Sequence, residues 1–157
     1  MPTDETFERL RDVATGVAKR NVKAREAAEF IRAAHNYHWV GIYDVTPMEI
    51  VAIAWTGEHA PAYPRFPVNQ GLNGAAVASR QNVIVQDVKK DSRYLTTFGS
   101  TRAEAIFVVA SPANGRIIGT IDVESERINA FSSDDEKFLS DCAEALKPLW
   151  SESAVKN

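Results

Sequence analysis

The stretch Gly115–Ser125, GRIIGTIDVES, decides the fold. Alternation along it puts Ile117, Gly119, Ile121 and Val123 on one face and Ile118, Thr120, Asp122 and Glu124 on the other, the period of a β-strand. The first set is core. The second carries two carboxylates two residues apart. Upstream, Glu104–Ala110 is a second apolar run, joined to the first through Pro112, Asn114 and Gly115. Asn-Gly between two such runs marks an antiparallel hairpin. In that hairpin Glu104 shares a face with Ile106 and Val108, and it is expected near Asp122 and Glu124. Three carboxyls gathered at one end of a sheet repel one another and raise at least one pKa. Such a cluster persists where a cation, an ammonium group or hydrogen-bond donors meet it; the alternative is a solvated face of ordinary surface charge.

Working outward from the hairpin, the same period recurs in Tyr37–Val45 and Glu49–Trp55, a second hairpin turned by Thr46-Pro47. Gly57–Gln70 holds Pro61, Pro64 and Pro67 and reads as an ordered loop outside the sheet. Leu72–Ser79 reads as a short helix entered through Gly71, and Val83–Val85 as a short buried strand. Gln86–Arg102 has no clean period and reads as a long loop with a helical turn at Asp91–Leu95; long loops in compact domains usually carry function. At the N-terminal end, Thr3–Ala34 has a helical period in Phe7, Leu10, Ala14 and Val17 and again in Ala27, Phe30, Ile31 and Ala34, with a break expected at Arg20–Val22. At the other end Ser132 or Ser133, with Asp135 or Glu136 three residues on, caps a last helix whose apolar stripe is Phe138, Leu139, Cys142, Leu146 and Leu149. The order predicts an α+β class: an antiparallel sheet with helices packed against it, in a single domain over 1–157 made of a helical segment at about 3–34 and a core at about 35–150.

Composition narrows the function. The 157 residues are 45% hydrophobic and 25% charged with a net charge of -3, so no basic footprint exists for a nucleic acid. No run reaches the ~20 apolar residues of a membrane span. The opening MPTDETFERLRD is polar and acidic where a secretory signal is basic and then apolar, and a cytoplasmic location is expected. One cysteine permits neither an internal disulfide nor a multi-thiolate zinc site, and no cofactor is expected. On the stripe of the last helix Cys142 reads as a small hydrophobe. The histidines have no metal-ligand spacing; His35 and His38 flank a helix-to-strand turn, and His59 lies in the proline-rich loop.

Two more groups bear on a site. Trp39, Gly41 and Tyr43 share a face of the first strand, where two aromatics around a glycine would make the wall of a small cavity or pack against the N-terminal helix. GLNG, Gly71–Gly74, is too short for a dinucleotide fingerprint. It lets a helix N-terminus face a cavity, where N–H groups attract an anion.

Taken together, HWVGIYDV, GLNGAAVAS, VIVQDV, AEAIFVV, GRIIGTIDVES and FSSDDEKFL resemble a GAF domain from about Ala27 to Trp150, and within that superfamily are most similar to the free methionine-(R)-sulfoxide reductases. The resemblance implies terminal helices on one face of the sheet, a ligand pocket on the other, and a homodimer through those helices. It implies pocket roles for Trp39, Tyr43, Glu104, Asp122 and Glu124, the last a Glu where the family has an Asp. The positions of the family's cysteines fall on Asn73 and at about Thr97, neither of them a thiol, so sulfenic-acid chemistry of the reductase kind is not expected. Phe131, Asp135 and Glu136 match half of a cyclic-nucleotide signature whose other half is missing. The expectation is a small-molecule-binding domain with Trp39, Tyr43, Asn73, Thr97, Glu104, Asp122 and Glu124 as ligand-binding residues and an amino-acid-like ligand. The alternatives are a related reductase, an enzyme using the carboxylates as acid and base or on a metal, and a dimeric interaction module with a vestigial pocket.

Overall fold

A computed structural model describes residues 4–150; Thr3 and the expected boundaries at 1 and 157 lie outside them. Six strands form one antiparallel sheet: β1 (Trp39–Val45), β2 (Glu49–Thr56), β3 (Arg65–Pro67), β4 (Val83–Val85), β5 (Ala103–Ala110) and β6 (Ile117–Ser125). Their spatial order is β3-β2-β1-β6-β5-β4, so the two expected hairpins sit side by side through the β1–β6 pairing. Four helices complete the fold: α1 (Asp4–Thr15), α2 (Arg20–Ala34), α3 (Gly71–Ser79) and α4 (Ser133–Ala145).

Strand alternation builds two different layers. On one side Val40, Ile42, Ala105, Phe107, Val109, Ile121 and Val123 meet α1, α2 and α4 through Leu10, Ile31, Phe138 and Leu146, the main core. On the other, two smaller clusters form: Trp39, Tyr43, Ile50 and Phe66 at one end, and Ile106, Val85, Leu72 and Ala76 under α3 at the other. Both faces of β6 are thus covered, and its second face is not solvated. Trp39 and Tyr43 lie away from the helical layer, which settles their packing against the pocket side.

Three local expectations differ from the structure. The helical break lies at residues 16–19 rather than Arg20–Val22. The Lys23 ammonium donates to the carbonyls of Ala14 and Gly16 at the end of α1 (3.0 and 3.1 Å), and Arg20 begins α2 by forking onto Asp44 and donating to the Leu149 carbonyl. Inside the proline-rich loop, Arg65–Pro67 pairs with Val51–Glu49 as an edge strand; a proline is tolerated there because an edge strand leaves one side unpaired. In the second long loop the 3-10 turn is Val88–Lys90, fixed by the Asp87 carboxylate accepting from the Lys89 amide, and Asp91–Tyr94 closes only one hydrogen-bonded turn. Helix α4 starts as expected, with a capping box between Ser132 and Asp135. No helix among the described residues is long and apolar enough to cross a membrane.

Candidate functional site

Sheet register assembles the candidate site. Trp39 pairs with Glu124, which pairs with Glu104; Gly41 pairs with Asp122, which pairs with Ile106; Tyr43 pairs with Thr120. Side chains at paired positions share a face, so the three carboxyls and the two aromatic rings rise from one patch of β1, β6 and β5. Gly41 is the reason the wall closes over them. A Cβ there would lie 2.5 Å from the Trp39 ring and 2.8 Å from the Tyr43 ring, so only glycine lets both rings lean together. The Trp39 indole N–H donates to the His59 carbonyl at 2.9 Å and anchors the proline-rich loop beside the wall.

Opposite the sheet stands α3. Gly71 takes φ +69, a left-handed conformation that suits glycine. That turn brings Gly71, Leu72 and Asn73 to the cavity. The Asn73 amide donates to Asp122 Oδ2 at 3.3 Å, and its oxygen accepts from Thr120 at 2.6 Å. From the β4–β5 segment, Thr97 and Thr101 both donate to Glu124 Oε1, at 2.6 and 2.8 Å. Phe98 of the same segment covers the site, its ring 5.5 Å from that of Trp39. All seven residues singled out from the sequence line this one cavity. It measures about 30 Å³, enough for roughly two water molecules.

Electrostatically the site is unbalanced. Glu104, Asp122 and Glu124 are 3%, 3% and 0% exposed, and an oxygen of each lies within 4.8 Å of the others. Two unit charges at that separation repel by roughly 3.5 kcal/mol at an effective dielectric of about 20. Burial pushes all three carboxyls above the usual range; repulsion adds to this at Glu104 and Asp122, while the Thr97 and Thr101 hydroxyls oppose it at Glu124. The Tyr43 phenol is raised by burial and by the same three acids. Asp122 Oδ1 and Glu124 Oε2 are buried without a donor, an arrangement that calls for one. Among the described residues no Lys, Arg or His lines the cavity. A hard cation keeps six or more oxygen ligands, whereas here the rest of the lining is mainly aromatic and aliphatic; an ammonium or guanidinium suits the donor set better.

Elsewhere, Cys142 is buried in the helical core, where burial raises its thiol pKa, and it lies on the opposite side of the sheet from the cavity. Asp135, one of the three residues of the cyclic-nucleotide resemblance, is consumed by the α4 cap and by accepting from the Tyr37 hydroxyl (2.6 Å) and from His35 Nδ1 (2.9 Å). The His59 ring is exposed and lies 6.1 Å from the Phe98 ring, while its carbonyl accepts from the Trp39 indole. Sequence reasoning passed over Thr101, Phe98 and Thr120. Thr120 was legible, sharing the β6 face of Asp122 and Glu124; the other two sit in an aperiodic segment with no signal.

A family model described as GAF domain matches residues 20–147. Among curated proteins, GAF domain-containing protein A of Dictyostelium discoideum is 27% identical over 148 residues, 91% of each chain. The free methionine-R-sulfoxide reductase of Escherichia coli is 26% identical over 102 residues, 65% of this chain and 59% of its own. Among solved structures, the type II free methionine-R-sulfoxide reductase from Thermoplasma acidophilum aligns with a TM-score of 0.79 at 30% identity, over 91% of this chain and 96% of its own.

Proposed function

The chain belongs to the GAF domain family, and from that premise we propose that it is a sensory or regulatory domain that binds a small polar, amino-acid-like molecule in the carboxyl-floored cavity. The observation that carries this reading is the pair of buried acceptors without donors, Asp122 Oδ1 and Glu124 Oε2, under an aromatic wall. The ligand's ammonium takes the carboxyls, its apolar part lies on Trp39 and Tyr43, and its carboxylate faces the N–H groups at the start of α3. A whole amino acid exceeds the volume of about 30 Å³, so its entry needs outward movement of the loops that line the cavity, which carry Pro61 and Tyr63 on one side and Leu95 and Phe98 on the other.

The relatives include free methionine-R-sulfoxide reductases. A thiolate mechanism is nevertheless not part of the proposal. Asn73 and Thr97 line the cavity without a thiol, and Cys142 is a raised, buried thiol in the other core. Thermal-shift screening of amino acids, methionine sulfoxides and nucleotides tests the proposal; a ligand at ~100 times its Kd stabilises by about 2.7 kcal/mol. No shift with any of these at millimolar concentration defeats the binding reading, and thiol-dependent turnover of methionine sulfoxide by the purified chain defeats the non-enzymatic one. Assembly as a homodimer through the terminal helices belongs to the same proposal, supported by the exposed apolar Val17 and Val22 at the α1–α2 corner.

A further inference from the structure

We propose that in the unliganded domain protons shared among Glu104, Asp122 and Glu124 hold the cluster together, and that a ligand's cationic group enters by displacing them into solvent. This rests on the small-molecule reading above and adds how the site is loaded. Three features of the geometry carry it.

The first is the asymmetry of the donors. Glu124 Oε1 receives two hydroxyls and Asp122 Oδ2 one amide, while Asp122 Oδ1 and Glu124 Oε2 receive nothing from the surrounding chain. The second is the position of Glu104. It pairs directly with Glu124 and sits diagonally from Asp122 across β5–β6, with an oxygen of each of the three carboxyls within 4.8 Å of the others. A proton on Glu104 therefore supplies what the other two lack. One proton bridges one pair at a time, so the third carboxyl still wants a donor.

The third is that no Lys, Arg or His among the described residues lines the cavity. The polar groups that face the cluster are the Tyr43 phenol from β1, the Asn73 amide from α3, and the Tyr94 phenol with the Thr97 and Thr101 hydroxyls from the β4–β5 segment. His38, ahead of β1, acts on Glu124 from a distance and has its own carboxylate in Glu126 at 3.7 Å. None of these neutralises three buried acids. The raised pKa values agree with protons doing so. An ammonium or guanidinium carries the charge and several N–H donors together, so it replaces the shared proton with charge conserved: one organic cation enters and about one proton leaves.

Two measurements on the full chain test this. Infrared spectra of the unliganded protein should show a protonated carboxyl band near neutral pH that bleaches at strongly alkaline pH and is lost or shifted in Glu104→Gln. Should that variant fail to fold, Asp122→Asn and the wild-type titration serve instead. Calorimetric titration with L-methionine, in buffers of equal pH and different ionisation heat, should show release of about one proton per ligand and an affinity falling about tenfold per unit of acidification. Absence of the band overturns the proposal, as does L-methionine binding with no proton exchanged. A band without heat from L-methionine, and without a thermal shift from any compound of the screen above, supports the protonated cluster and instead defeats the amino-acid reading, so the two failures are distinguishable.

Discussion

At the residue scale, the site is held against its own repulsion. Three carboxyls with raised pKa bind protons more tightly in the folded chain than in the unfolded one, whose carboxyls titrate near ~4. Their contribution is therefore fully present below that range and is lost as pH rises through the raised values. Asp135 has the opposite sign. Burial raises it, but hydrogen bonds from Tyr37, His35 and Ser132 outweigh this and lower it to about 2, so its contribution is present above ~4 and is lost as pH falls towards about 2. Denaturant melts over a pH series should show the unliganded protein losing stability on the alkaline side, and Asp122→Asn should flatten that limb. On that alkaline limb, where the cluster has lost its protons, the same variant should be about 1–3 kcal/mol more stable than the parent, because removing a buried, crowded charge relieves repulsion; an equally stable or weaker variant there contradicts the account. These acids were legible because strand alternation fixes which side chains share a face. Thr101 and Phe98 were not, because tertiary contact alone brings their segment over the sheet.

Elements set the shape of the cup, and here glycine matters more than charge. Gly41 lies opposite Asp122 and lets the rings of Trp39 and Tyr43 approach across it. Gly41→Ala should cost about 1–3 kcal/mol by overpacking, shift the tryptophan emission, and weaken ligand binding; a variant with parental melting and emission would show that the wall does not depend on this close approach. On the other face, Arg20 ties α2 to β1 through Asp44 and to the C-terminal turn through the Leu149 carbonyl at 2.8 Å. Arg20→Leu leaves that carbonyl without its donor and should cost about 1–3 kcal/mol in urea melts, with ligand binding unchanged because the cavity lies across the sheet. Both hairpins, α3 and the α4 cap could be read from period and turn chemistry. The edge strand Arg65–Pro67 could not, since three residues with a proline carry no period and are recruited by β2. The helix break was misplaced for a similar reason: Lys23 and Arg20 fix it through contacts that spacing does not encode.

For the whole molecule, a sheet with a helical core on one side and a covered cup on the other separates scaffold from site. The division of labour was visible in outline from the order of elements and from the GAF resemblance, but the cup's depth was not: on the second face of β6 all but the half-buried Ile118 are buried, like the first. If the helical side also joins two copies, sedimentation at micromolar concentration should give a dimer, and Val22→Glu should shift it towards monomer without altering ligand affinity; a monomeric parent removes that part of the proposal. The claim beneath all of this is that the acids of β5 and β6 receive a cation. Calorimetric titration of the parent chain and of Asp122→Asn with the amino compound that gives the largest thermal shift tests it most directly. The account predicts saturable, one-to-one binding by the parent and at least a tenfold loss in the variant; equal affinity in the two proteins would contradict it.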